Sequence, residues 1–138
     1  MESMKSAVNA YQTVQVDAAV LGASPHELIA KLLAKAIAST IAAKGHMASG
    51  DIAGKTAHIK IALAIISDGL RSSLDMEAGG ELAQRLDALY DYMCQRLLKA
   101  HIDNDVIVLD EVISLLSEIK SGWDGIKDQV GSPDHNNL

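Results

Sequence analysis

The groups in this chain that could do chemistry are five histidines, one cysteine and two pairs of closely spaced carboxylates. A nucleophilic cysteine needs a base within hydrogen-bond reach. Cys94 has only His101 nearby in sequence, seven residues on, about two helical turns away and too far to pair along one helix. Asp75/Glu77 and Asp87/Asp91 could serve as general acid and base, but their surroundings point to a solvated turn and a solvated helix face, with Asp75 capping the adjoining segment. His26, His46, His58, His101 and His135 are scattered, and nowhere do His, Cys, Asp and Glu cluster at the spacing of metal ligands. Gly79-Gly80 lacks the preceding strand and the lysine of a phosphate-cradling loop. The expectation is a protein without catalytic residues, metal or cofactor.

The elements that would have to position any site are helices. Ser24-Pro25-His26-Glu27 combines a capping serine, a proline at the first helical position and a glutamate three residues on. From there Leu28, Ile29, Leu32, Leu33, Ala36, Ile37 and Ile41 follow a helical repeat, which fades near Gly45. A second helix starts by Ser49-Gly50-Asp51 and carries Ile52, Ile59, Leu63, Ile66 and Leu70 on one face. A third carries Leu82, Leu86, Leu89, Met93 and Leu97 and ends near Ile102. Asp103 or Asn104 is expected to cap the fourth, which holds Val106, Leu109, Ile113, Leu116, Ile119 and Trp123. Matched lengths and short connections predict an all-α fold, an antiparallel up-down four-helix bundle spanning residues 24–128. Residues 1–23 read as an N-terminal arm and 129–138 as a disordered tail.

Composition sets the outer bounds. Nearly half of the 138 residues are apolar, but aromatics make up 3% and Phe is absent, so the core must be aliphatic. A net charge of -6 argues against nucleic acid as a partner and fits an anionic membrane surface poorly. No apolar run has transmembrane length, Met1–Gln12 has no signal-peptide h-region, and a single cysteine allows no internal disulfide. These features fit a cytoplasmic protein.

The second helix has more apolar surface than one bundle seam needs. At about 100° per residue, Ile61 and Ile65, flanked by Ala57 and Ala64, fall on the side opposite Ile59. Val108 and Leu115 lie similarly off the seam of helix four. Contiguous exposed apolar surface marks an interaction site. The sequence therefore predicts a groove floored by Ala57, Ile61, Ala64 and Ile65, covered by the chain's own arm or by a partner helix. A homodimer burying that stripe is the competing reading, so the expected state is a monomer or a weak dimer.

Four blocks in order carry a family resemblance: Asn9-Ala10-Tyr11-Gln12-Thr13-Val14-Gln15-Val16, Ala23-Ser24-Pro25-His26-Glu27-Leu28-Ile29, Leu74-Asp75-Met76-Glu77-Ala78-Gly79-Gly80-Glu81 running into Leu89-Tyr90-Asp91-Tyr92-Met93, and Leu115-Leu116-Ser117-Glu118-Ile119 closing on Trp123. Together they cover roughly residues 9–127 and resemble the FliS family, the cytoplasmic export chaperones of bacterial flagellin. Two stretches depart from the family pattern. Leu32-Leu33-Ala34-Lys35-Ala36 stands where members commonly read Leu-Tyr-Asp-Gly-Ala, and the spacer Asp17–Gly22 is longer than usual.

The resemblance implies a non-enzymatic chaperone. It would bind the disordered C-terminal segment of flagellin by coupled folding and prevent polymerisation before type III secretion. Export-gate components are left open as further partners. It also implies that the arm, through Tyr11, Val14 and Val16, lies at or beside the client site. The alternative is an adaptor or assembly regulator using the same bundle for a different secreted subunit.

Overall fold

A computed structural model describes residues 24–130, with side chains described to residue 126. The predicted arm residues Tyr11, Val14 and Val16, and the tail beyond 130, lie outside the described residues. Four helices are present: α1 (Pro25–Ser49), α2 (Ile52–Ala64, continuing as a π-helical segment Ile65–Arg71), α3 (Gly80–Asp103) and α4 (Val106–Val130). Among the described residues there is no strand, as the sequence predicts. α1 packs on α2 and α4, and α3 packs on α4 and on both parts of α2, which closes a four-helix ring around a single aliphatic core.

The helix ends are set by local chemistry. Ser24 Oγ accepts the Glu27 backbone N–H at 3.2 Å, and the serine hydroxyl donates back to Glu27 Oε1. α1 runs past Gly45 to a left-handed Gly50 (φ 77°), where Asp51 N–H donates to His46 O and Gly50 N–H to Met47 O. That is a Schellman ending, and glycine takes the left-handed position without a Cβ penalty. α3 ends the same way on a left-handed Asn104 (φ 53°), with Asp105 N–H donating to Ala100 O at 3.0 Å. The cap of α4 is therefore Asp105 rather than Asp103 or Asn104. Its Oδ1 accepts the N–H groups of Ile107 and Val108. Asp103 is the last residue of α3 and Asn104 makes the turn, which leaves Asp105 as the first carboxylate placed to cap.

The core holds Leu32, Leu33, Ile59, Ile66, Met93, Leu97, Leu109 and Leu116, all at most 2% exposed. Several expectations are corrected. Ile52, assigned to the core stripe of α2, is 72% exposed, because it is the first residue of its helix and stands beyond the packed layer. Leu82, likewise in the first turn of α3, is 66% exposed. Val108, expected off the seam, is core, and Leu115 packs against it in part. Tyr90, Val112 and Ala62 join the core although none stood on a predicted stripe.

Candidate functional site

Two surfaces compete as the site: the predicted stripe on α2 and a hollow at one end of the bundle. On α2, Ala57 is exposed and Ile61 and Ala64 are half-buried, but Ile65 has 0% exposure and cannot floor an open groove. The physical reason is the width of the buried face. Ile65 is still in α-helical register, its N–H bonded to Ile61 O, and stands about 60° around the helix from the fully buried Ala62. The π-helical stretch begins there, and Ile65, Ile66, Gly69 and Leu70 are its buried residues.

The hollow has a volume of about 470 Å³ and forms where α1 begins, α2 ends, α3 begins and α4 ends. Pro25, His26, Ile29 and Leu33 line it from α1, and Leu70, Ser73, Leu74 and Asp75 from the α2–α3 connection. Leu82, Ala83, Leu86 and Tyr90 of α3 and Ile119, Trp123 and Ile126 of α4 complete the wall. None of Ala57, Ile61, Ala64 or Ile65 takes part, so the structure separates the predicted stripe from the main groove. A usable signal existed in the sequence. Leu82 and Ile126 sit near helix ends and are left 66% and 41% exposed.

The groove is apolar but held by polar groups at its rim. Trp123 Nε1–H donates to His26 O, and His26 Nε2–H donates to Trp123 O, both at 2.9 Å. Their rings stack with centroids 4.6 Å apart and planes 7° from parallel. This reciprocal clamp joins the first turn of α1 to the last described turns of α4. In the α2–α3 connection, Asp75 Oδ1 accepts the N–H groups of Glu77 and Ala78, as expected of a capping aspartate. Asp87 and Asp91 keep 33% and 45% of their side chains exposed, a solvated face as expected, but they are also paired across helices. Arg71 Nε donates to Asp87 Oδ1 at 2.6 Å and Nη1 to Asp91 Oδ1 at 3.1 Å, tying the end of α2 to α3. The Arg71 guanidinium holds the Asp87 carboxyl below the usual carboxylate range.

Burial holds the Tyr90 phenol and the Cys94 thiol in their neutral forms. Burial pushes the Tyr90 phenol up to about 12, so it stays protonated. Burial, aided by the Asp91 carboxylate, pushes the Cys94 thiol up to about 11, which removes the thiolate a nucleophile needs. Among the described residues no group of three or more His, Cys, Asp or Glu side chains could enclose a metal ion. No described helix is long and apolar enough to cross a membrane. A concave apolar surface lined by Leu, Ile, Trp and Tyr, bounded by a few fixed polar groups, suits an apolar helix face.

Comparison with known proteins gives this geometry a context. The family model described as "Flagellar protein FliS" matches residues 7–130. The chain is 48% identical over 126 residues to the flagellar secretion chaperone FliSB of Pseudomonas aeruginosa, covering 91% of this chain and 98% of that one. It is 42% identical over 135 residues to the flagellar secretion chaperone FliS of Vibrio cholerae, covering 98% and 95% of the two chains. It is 42% identical over 118 residues to the Salmonella typhimurium protein of the same name, covering 86% and 87%.

Proposed function

This chain belongs to the FliS family of flagellar secretion chaperones, and on that premise we propose that its client is flagellin, held through the C-terminal segment before export. The protein acts in the cytoplasm, without catalysis or cofactor. It covers client surface that would otherwise polymerise. The observation that carries this reading is the groove of about 470 Å³ at the open end of the bundle. Its wall is drawn from all four helices, and its lining is almost wholly aliphatic and aromatic. An amphipathic segment of the client gains affinity by laying its apolar face there, and the cost of ordering that segment keeps binding reversible.

Two further surfaces belong to the same reading. Residues 1–23 join the bundle at Ser24, beside Pro25 and His26 on the groove wall. Tyr11, Val14 and Val16 of that segment are the proposed arm contacts at or beside the groove. The exposed side of α2 around Ala57, Ile61 and Ala64 offers a second apolar contact for a client segment too long for one groove.

Calorimetric titration with the C-terminal segment of flagellin from the same genome, followed by circular dichroism, tests the proposal. A one-to-one complex with a gain of helix and a negative heat-capacity change supports it. Absence of binding, with tight binding of a different secreted flagellar subunit, replaces flagellin as the client.

A further inference from the structure

The apolar groove is bordered by charge of one sign. Between residues 68 and 91 the chain carries six carboxylates (Asp68, Asp75, Glu77, Glu81, Asp87 and Asp91) against two guanidinia (Arg71 and Arg85). A formal -4 of the chain's net -6 therefore lies in the α2–α3 connection and the helix turns beside it. Arg71 answers Asp87 and Asp91, and Arg85 answers Glu81. Among the described residues neither Asp75 nor Glu77 has a lysine or arginine at ion-pair distance. Asp75 itself lines the groove, and no lysine or arginine lines it.

The turn that carries these groups is held in one shape. Asp75 Oδ1 accepts the Glu77 and Ala78 N–H groups, and Asp75 O accepts the Gly79 N–H at 2.8 Å. A Cβ at residue 79 would stand 2.6 Å from Ala83 Cβ and 2.7 Å from Asp75 O, so glycine lets the turn close onto the start of α3. Asp75 and Gly79 both line the groove, which brackets Glu77 between two points on its edge. Glu81, with 76% of its side chain exposed, adjoins the lining residue Leu82.

Resting on the reading of this groove as the client site, we propose that its occupant is an amphipathic helix whose apolar face is flanked by lysine or arginine. Those cations lie against Asp75, Glu77 and Glu81. A cleft with low-dielectric walls and one sign of charge focuses its field, which draws in a ligand of the opposite sign. A second copy of this chain is a poor occupant, because a symmetric contact would bring two acidic turns to one interface. An anionic membrane surface is repelled for the same reason. The chain's own residues 1–23 offer Lys5 against Glu2 and Asp17, so they supply no cationic excess.

Two synthetic amphipathic peptides test the proposal. They share one leucine-rich helical face and differ only at its flanks, lysine in one and glutamate in the other. Each is titrated by calorimetry into the full chain at about 50 mM and about 500 mM salt. The lysine-flanked peptide should bind about tenfold tighter at low salt, and high salt should remove most of that preference. E77K/E81K should abolish or invert it. D103K/D110K makes the same charge change at the far end of the bundle, where α3 turns into α4, and should leave it intact. L82A trims the groove wall without touching its charge and should weaken both peptides alike. Circular dichroism confirms that each variant is folded. Equal binding of the two peptides overturns the proposal, as does a preference that survives E77K/E81K or is lost equally in D103K/D110K. Peptide binding unmoved by L82A places the contact elsewhere and overturns it too. The flagellin C-terminal segment is run on the same variants. If it binds but ignores both salt and E77K/E81K, the charge assignment falls and the client reading stands. If the lysine preference holds while that segment fails to bind, the charge assignment stands and flagellin is replaced as the client.

Discussion

At one end of the bundle, α1 turns into α2 and α3 into α4 through short capped connections; at the other, the same four helices leave a hollow. The closed end is sealed by backbone and side-chain chemistry. Gly50 and Asn104 take left-handed conformations, Asp51 and Asp105 cap the outgoing helices, and Lys55 ties the two turns together. Lys55 is 5% exposed, and its Nζ donates to His101 O at 3.1 Å and to Asn104 Oδ1 at 2.6 Å. Those bonds satisfy the buried Lys55 ammonium, a group that would be costly to bury unpaired. At the open end residues 72–79 connect α2 to α3 beside the groove. That end is fixed across the bundle by the His26–Trp123 clamp and by Arg71 on its two aspartates. A small bundle thus divides its roles along its length. Stability sits in the layers and the closed turns, and the surface proposed for recognition lies where the packing stops.

The largest effect should come from the shared core. Leu109 is fully buried in α4, and L109A should cost about 2–5 kcal/mol in equilibrium denaturation, weakening both ends together. A loss below about 1 kcal/mol would mean that the layers do not carry the stability assigned to them. Next, K55M should cost about 1–3 kcal/mol by leaving the part-buried His101 O without its side-chain donor. Affinity for the flagellin tail should stay at the wild-type value, because the groove is at the far end. A parallel loss of affinity would show that the two ends are coupled.

L82D should do the reverse. Leu82 is 66% exposed on the groove wall, so unfolding free energy should move by no more than about 0.5 kcal/mol. Affinity for the tail should fall tenfold or more, about 1.4 kcal/mol, because a carboxylate would be buried against an apolar client. If I61D reduces affinity more than L82D does, the exposed side of α2 outranks the groove.

The smallest effect is on pH dependence. Hydrogen bonds from Arg71 to Asp87, and from Tyr92 and then Arg96 to Glu111, hold both carboxyls below their unfolded values. Stability from these groups is fully present above the unfolded carboxylate range, about 3.9–4.3, and is lost as pH falls through the lower folded values. Wild-type protein should therefore lose more stability between pH 5 and pH 3 than D87N/E111Q does, measured by urea denaturation. Equal losses would mean that these exposed pairs contribute nothing measurable, as surface ion pairs often do.

Much of the fold was legible because helices are written locally. Ser24, Pro25 and Glu27 announced the start of α1, and the repeat of Leu28, Leu32 and Ala36 announced its buried face. Misassignments cluster where a local rule meets something outside its range. Ile52 and Leu82 have the right periodicity for core, but they stand in first turns with no layer beside them. Ile65 fails because the buried face of α2 is wider than the stripe drawn through Ile59 and Ile66. The groove proposed as the site was less legible still. The stripe rule pointed to α2, while the groove is assembled from Ile29, Leu74, Leu82 and Trp123, which no single helix presents together.

The amino-acid sequence was enough to define the class of this protein: four amphipathic helices, most of their caps, an aliphatic core, and the ordered blocks that place the chain in its family. Those properties depend on neighbours within about four residues or on the linear order of motifs, so they need no coordinates. Tertiary structure was needed to decide which apolar residues stay uncovered. It also decided that Asp87 and Asp91 grip Arg71, and that His46 and His58 stack across a turn. Those outcomes depend on how helix ends meet. That is set by the packing of the whole bundle, and a π-helical change of pitch in one element alters it for every residue downstream.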